Sequence, residues 1–181
     1  MRPPAEIQDA LRSFRRRGVR RWGSRRAALA VTIVTGLEGP AILLTRRADS
    51  LSARSGAFAL PGGRADRWES APAAGRRCLA EQLDMRLPPE SVLGLLDDYV
   101  TDAGPVITPV VLWAGEHAPA AEVLAVPFAD VDVEPVFVTS SGSAHGAEVR
   151  LPLHGGWLHC PTAAVLHQFR HVVLRRRLIP H

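Results

Sequence analysis

The sequence predicts an α+β fold, a mixed β-sheet sandwiched between helices. Three observations lead to it. Apolar, β-branched runs recur along most of the chain. The two main helical segments stand far apart, one in the middle and one near the end. The regular strand–helix alternation of a doubly wound sheet is missing, which favours mixed strand directions.

The elements follow in order. Residues 4–17 read as a helix, with Ile7, Leu11 and Phe14 on one face and Gly18 stopping it. Residues 27–35 are a continuous β-branched run, hence a buried strand. Residues 36–40 form a turn, and residues 41–45 return as the second strand of a hairpin. A polar loop then leads to Phe58 and to the Pro61-Gly62-Gly63 turn. Residues 70–83 read as a helix, with Ser70 as N-cap, Pro72 in the first turn, and Leu79 and Leu83 facing inward. Strands are expected over 92–100, 105–114 and 121–127, with weaker ones over 134–139 and 147–153. Residues 162–178 make an amphipathic helix carrying Val165, Leu166, Phe169, Val172 and Val173. No internal repeat or long linker divides the chain.

Composition narrows the class. At 181 residues, 46% hydrophobic and 22% charged, the chain fits one globular domain. No run approaches the roughly 18 apolar residues of a membrane span. The first twenty residues hold no secretory apolar core, so a cytoplasmic protein is expected. Cys78 and Cys160 lie far apart, and a disulfide between them is not expected there. The net charge is +4, and all 22 basic residues are arginine, nine of them within residues 1–26. Residues 1–24 therefore read as a basic N-terminal helix or arm, with residues 25–181 as the domain proper. Such an arm can bind nucleic acid or anionic lipid. No stacking platform or groove-reading motif accompanies it, so a solvated helix beside the domain is preferred and nucleic acid is not expected as a partner.

The segment that carries chemistry runs from Gly62 to Met85. A Gly-Gly turn delivers a polar loop onto a helix start, a place suited to anionic ligands. On that helix, positions 78, 81 and 82 share one face. Glu81 is the carboxylate there; Cys78 and Gln82 fill the other two places. Arg77 lies alongside, able to orient Glu81 or to contact phosphate.

This segment resembles a Nudix box, G-x5-E-x7-R-E-U-x-E-E-x-G-U, with U a bulky aliphatic residue. Gly63, Glu69, Arg77, Leu79, Glu81 and Met85 match in register. Cys78 and Gln82 stand where the box has glutamates, and Asp84 where it has its second glycine. The flanks are similar to coenzyme A pyrophosphatase-like Nudix proteins. They include residues 43–51, Gly56, Leu60-Pro61-Gly62-Gly63 with Asp66, Thr108-Pro109-Val110, Glu122 to Pro127, and Thr162-Ala163. Arg54 and Leu60 stand in that subgroup's histidine and phenylalanine places.

The resemblance implies a Nudix domain over residues 25–181, hydrolysis of diphosphate-linked compounds such as coenzyme A or nucleoside derivatives, and Mg²⁺ or Mn²⁺ as cofactor. It implies catalytic roles for Glu81, Arg77 and Glu122. Substrate binding falls to Arg46, Arg47, Arg54, Gly62, Gly63 and Arg64, and metal binding to Glu81, Gln82 and Glu69. Asp66 and Glu122 are further carboxylates able to approach the metal. A homodimer is also in keeping with it. The substitutions weaken this site. Mg²⁺ prefers hard oxygen ligands, whereas a thiol is soft and an amide is neutral. Each lost charge matters, because two charges about 4 Å apart interact by about 4 kcal/mol at an effective dielectric of about 20. Weak metal binding and weak or lost hydrolysis are therefore expected, with a non-catalytic diphosphate-binding or protein-interaction module as the alternative.

Other residues carry paired readings. Cys78 is either a reactive thiol or, preferably, a buried inert one. His167 and His171 have the i, i+4 spacing of a zinc pair, yet without further ligands solvent-facing histidines are preferred. Trp68 can stack on a base or cover the loop. Residues 140–143 form a serine-rich loop without the context of a nucleophile.

Overall fold

The computed structural model describes residues 4–46, 57–101, 104–117, 122–139 and 147–175. The serine-rich loop at 140–143 lies outside the described residues, as does the chain beyond 175.

The chain runs α1 (Pro4–Ser13), β1 (Arg26–Gly36), β2 (Gly39–Arg46), β3 (Phe58–Ala59), β4 (Gly62–Arg64) and α2 (Ala71–Leu83). It continues through β5 (Val92–Leu95), β6 (Tyr99–Val100), β7 (Val106–Gly115), β8 (Val123–Pro127) and the short α3 (Phe128–Val131). Last come β9 (Val136–Thr139), β10 (Ala147–Leu153), β11 (Gly156–Leu158) and α4 (Thr162–Phe169), which runs on as a π-helical turn over Arg170–Leu174. An eight-stranded mixed sheet forms the centre, with β1 and β7 parallel and its other pairs antiparallel. The last three strands make a small antiparallel sheet in the order β11-β10-β9.

The continuous apolar runs of β1, β2 and β7 arise because both sheet faces are covered. One face presents Ala28, Ala30, Val34, Leu43, Val110 and Leu112 to α2, where Ala74 and Leu79 meet them. The other presents Val31, Ile33, Ile42, Leu44 and Val111 to α1 and α4, through Ile7, Leu11, Leu166 and Phe169. This is the expected α+β sandwich. No helix among the described residues is long and apolar enough to cross a membrane.

Several expected boundaries shift for local reasons. The first helix ends at Ser13 rather than near Gly18. Beyond it the Arg16 side chain reaches the Leu96 carbonyl and Asp98, while the Val19 N–H donates to Asp98 (2.7 Å). The same grip breaks the strand expected over 92–100: Asp98 is turned inward to hold residues 16–19 and Thr108 instead of continuing the ladder. The turn expected over 36–40 is shorter, since the strands run to Gly36 and Gly39. The last helix changes to a π-helical turn at Arg170, whose buried guanidinium binds Asp132 (2.8 Å) and Glu134. Short elements with weak periodicity, β3, β4, α3 and β11, are absent from the sequence reading.

Candidate functional site

β1 and β2 pair tightly from Ile33–Ile42 to Gly36–Gly39, then part. Into the fork enter β4, paired to the start of β1, and β3, paired to the end of β2. Gly62 is required there. A Cβ on it would lie 2.3 Å from the Ala28 carbonyl and 2.6 Å from Leu29 Cδ2. The loop is held from the other side by Thr162, whose hydroxyl accepts the Leu60 N–H (3.0 Å).

A cleft of about 1080 Å³ opens at this fork. Of the expected site residues, Arg46, Gly62, Gly63, Arg64, Glu81, Gln82 and Glu122 border it. Arg77 and Glu69 do not; they stand behind the loop. Arg47 and Arg54 lie outside the described residues. An apolar wall that includes Leu29, Ile107 and Val123 completes the cleft. The sequence carries no periodic signal for that wall, because its members come from separate strands.

α2 presents this site from a well-defined frame. The Ser70 hydroxyl accepts the Ala73 N–H (3.3 Å), and Asp84 closes the helix in the left-handed region (φ 50). The three box positions expected on one face do not act as one. Cys78 is 2% exposed and lies beneath the loop, its Sγ 3.3 Å from where a Gly63 Cβ would stand. Burial pushes its thiol above the ordinary cysteine range, so it stays protonated. Glu81 and Gln82 reach the cleft, and each is engaged. The Gln82 amide donates to the Gly62 carbonyl (2.8 Å), and its oxygen accepts the Gly62 N–H (3.3 Å). Glu81 is bound by Arg77 at 3.2 Å.

Arg77 is the hub behind the loop. Its fork grips both Glu69 oxygens at 2.9 Å and donates to the Arg64 carbonyl (2.8 Å). Glu69 also accepts the Asp66 N–H (2.8 Å). The Arg77 hydrogen bonds hold the Glu69 carboxyl below the usual carboxylate range, against a smaller opposing effect of burial. Arg46 and Arg64 remain as cations on the cleft without a carboxylate partner among the described residues; Arg46 rests over the Phe58 ring at 5.1 Å.

These residues do not fit a hard divalent cation. An octahedral ion needs several anionic or carbonyl oxygens turned to one point. Here the thiol is buried, the amide is committed to the loop backbone, and both box carboxylates answer Arg77. Among the described residues no group of three or more His, Cys, Asp and Glu is placed to hold a metal.

Other expectations are corrected. His167 is not solvent-facing: it is half-buried, with an enclosed Nδ1 that has no hydrogen-bond partner among the described residues, and its ring packs edge-on against His171 (4.6 Å) and Phe137 (6.1 Å). Trp68 does not cover the loop; it is 92% exposed at φ 70, with Arg67 over its ring.

No family model matches the sequence, and no curated protein does. Solved structures do. A Nudix hydrolase from M. smegmatis, RenU, superposes with a TM-score of 0.54 at 26% identity, over 90% of this chain and 94% of that one. Shewanella oneidensis NrtR gives 0.51 at 21%, over 81% and 61% of the respective chains. A MutT/nudix family protein from Enterococcus faecalis gives 0.50 at 17%, over 86% and 64%. The chain has the Nudix fold.

Proposed function

We propose that this cleft takes a small diphosphate-linked molecule, such as coenzyme A or a nucleoside diphosphate derivative, and that metal-dependent hydrolysis there is weak or lost. The diphosphate reading draws on the Nudix fold, on the likeness to a Nudix hydrolase, and on Arg46 and Arg64 flanking the glycine strand. The loss of hydrolysis is carried by one observation: the Gln82 amide is spent on the Gly62 backbone while Arg77 absorbs Glu69 and Glu81. To Glu122, a further carboxylate on the cleft, we assign the role of general base in any residual hydrolysis. Arg47 and Arg54 stay candidate phosphate contacts.

The alternative is a purely non-catalytic module that binds a diphosphate ligand or a protein partner. The committed side chains favour it over slow turnover. The deciding measurement is phosphate release over a panel of coenzyme A and nucleotide diphosphates, beside Mg²⁺ and Mn²⁺ titrations. Turnover at ordinary enzymatic rates, on the order of 1–1000 per second, would defeat the reading. We also expect a cytoplasmic protein, with light scattering to test for a homodimer and nucleic acid excluded as a partner by weak, salt-insensitive DNA binding.

A further inference from the structure

The hydrogen-bonding chemistry of Gln82 separates two ways of building this site. Gly62 offers one donor and one acceptor toward α2, and it cannot move away, because β1 presses on its other side. A carboxamide matches that pair, one N–H to the carbonyl and one oxygen to the N–H. A carboxylate of the same length does not. It has acceptors alone, so one oxygen would face the Gly62 carbonyl with no proton to share between them. A cation placed between the two oxygens would repair that contact, since backbone carbonyls and carboxylates are both good ligands for hard cations. The choice is thus carboxylate with cation, or amide without. Nearby charges agree with the second. Glu81 is bound by Arg77, the Cys78 thiol is neutral, and Arg46 and Arg64 bring two cations to a cleft that Glu122 and Asp84 also border.

We infer that Gln82 stands in for a bound divalent cation: its amide ties α2 to the Gly62 strand, so the cleft accepts its phosphorylated ligand with no metal present. This rests on the diphosphate reading above. Phosphate oxygens would then meet the guanidinium groups of Arg46 and Arg64, which give directed, charge-assisted hydrogen bonds without an intervening ion. The clasp is a positioning contact, not a catalytic one. It keeps the glycine strand and its cations in register while the ligand enters and leaves.

Calorimetry with inorganic pyrophosphate as the probe tests this, using the full chain in EDTA and in excess Mg²⁺. The wild-type dissociation constant should agree between the two within about twofold. Gln82→Glu should bind up to about tenfold more weakly in EDTA, the scale of a net hydrogen bond lost at a solvent-exposed clasp, and Mg²⁺ should restore it. Gln82→Met, which lacks both hydrogen bonds, should weaken binding with no rescue by Mg²⁺. NMR of the wild-type protein gives an independent reading should a variant fail to fold: the Gln82 side-chain amide protons should be protected from exchange and unchanged by EDTA. Pyrophosphate binding that requires Mg²⁺, or a Gln82→Glu variant equal to wild type in EDTA, overturns the inference. If that requirement appears without brisk hydrolysis, the diphosphate reading survives alone. Absence of pyrophosphate binding in every condition would overturn both.

Discussion

At the scale of single residues, Arg77 decides what the carboxylates around it can do. It makes a two-pronged bond to Glu69, a bond to Glu81 and one to the Arg64 carbonyl. Its guanidinium is further stabilised in the charged form by those partners, Glu69 foremost. Replacing it with alanine strips the Glu69 carboxylate of its guanidinium donors, leaving it the Asp66 N–H, and removes the side-chain donor from the Arg64 carbonyl. Arg77→Ala should lower stability by about 2–3 kcal/mol, given that hydrogen bonds to charged groups are worth about 1.5–3 kcal/mol and do not add fully. Lysine keeps the charge but not the planar fork, so Arg77→Lys should recover less than half of that. Urea unfolding of the three proteins measures both. A second prediction concerns the missing glutamates. Cys78→Glu with Gln82→Glu should raise Mg²⁺ affinity. It should also lower the melting temperature in EDTA, because position 78 is 2% exposed and a buried ionised group is costly. Added Mg²⁺ should return part of that loss. A melting curve indifferent to Mg²⁺ would mean that the two side chains do not meet at one ion.

At the scale of elements, helix ends and helix seats carry the testable energies. Asp84 occupies the left-handed region at the end of α2, where glycine is favoured and other residues cost roughly 1–2 kcal/mol. Asp84→Gly should therefore stabilise the protein, by up to about 1 kcal/mol once aspartate's tolerance of this region is allowed for; a thermal melt shows the sign. The N-terminal helix is seated rather than appended. Ile7 and Leu11 lie in the core, and a Cβ at Gly94 would stand 2.9 Å from Leu11 Cβ, so helix and strand nearly touch. Leu11→Ala should cost about 2–4 kcal/mol, the range for emptying a buried leucine site. A change under about 0.5 kcal/mol, as for a surface position, would show that residues 1–24 pack on the domain only loosely.

At the scale of the whole molecule, titration below neutral pH should act in one direction. Arg170 and Arg175 hold the Asp132 carboxyl below its usual range and pull Glu134 down to about 2. Glu69 is lowered likewise by Arg77. In each case the unfolded chain takes up protons at a higher pH than the folded one, so stability is full above the unfolded values, 4.5 for the glutamates and 3.8 for Asp132, and is lost as pH falls through the folded values. His167 adds an earlier step of the same sign. Burial first, then the His171 and Arg170 charges, push its ring below the ordinary value of 6.5, while Glu134 opposes them. Protonation therefore favours the unfolded chain as the pH drops under 6.5. Urea midpoints followed downward from neutral pH should fall in two stages, and His167→Gln should erase the upper one. An upper stage unchanged in that variant would assign it elsewhere.

Local pattern was enough for the large elements. The β-branched run after Arg26, the Ser70 cap with Pro72, and the apolar stripe of the last helix each state their conformation in neighbouring residues, and the box register marks the loop and helix that build the cleft. What pattern could not supply is which partner each polar group chooses. Gln82 and Gly62 are twenty residues apart in the chain, Arg77 answers Glu69 and Glu81 at once, and Asp98 abandons a strand to hold residues 16–19. Periodicity records burial. Hydrogen-bond pairing between distant segments is settled only when the sheet brings them within reach, and here that pairing decides whether the site has oxygen to spare for a metal.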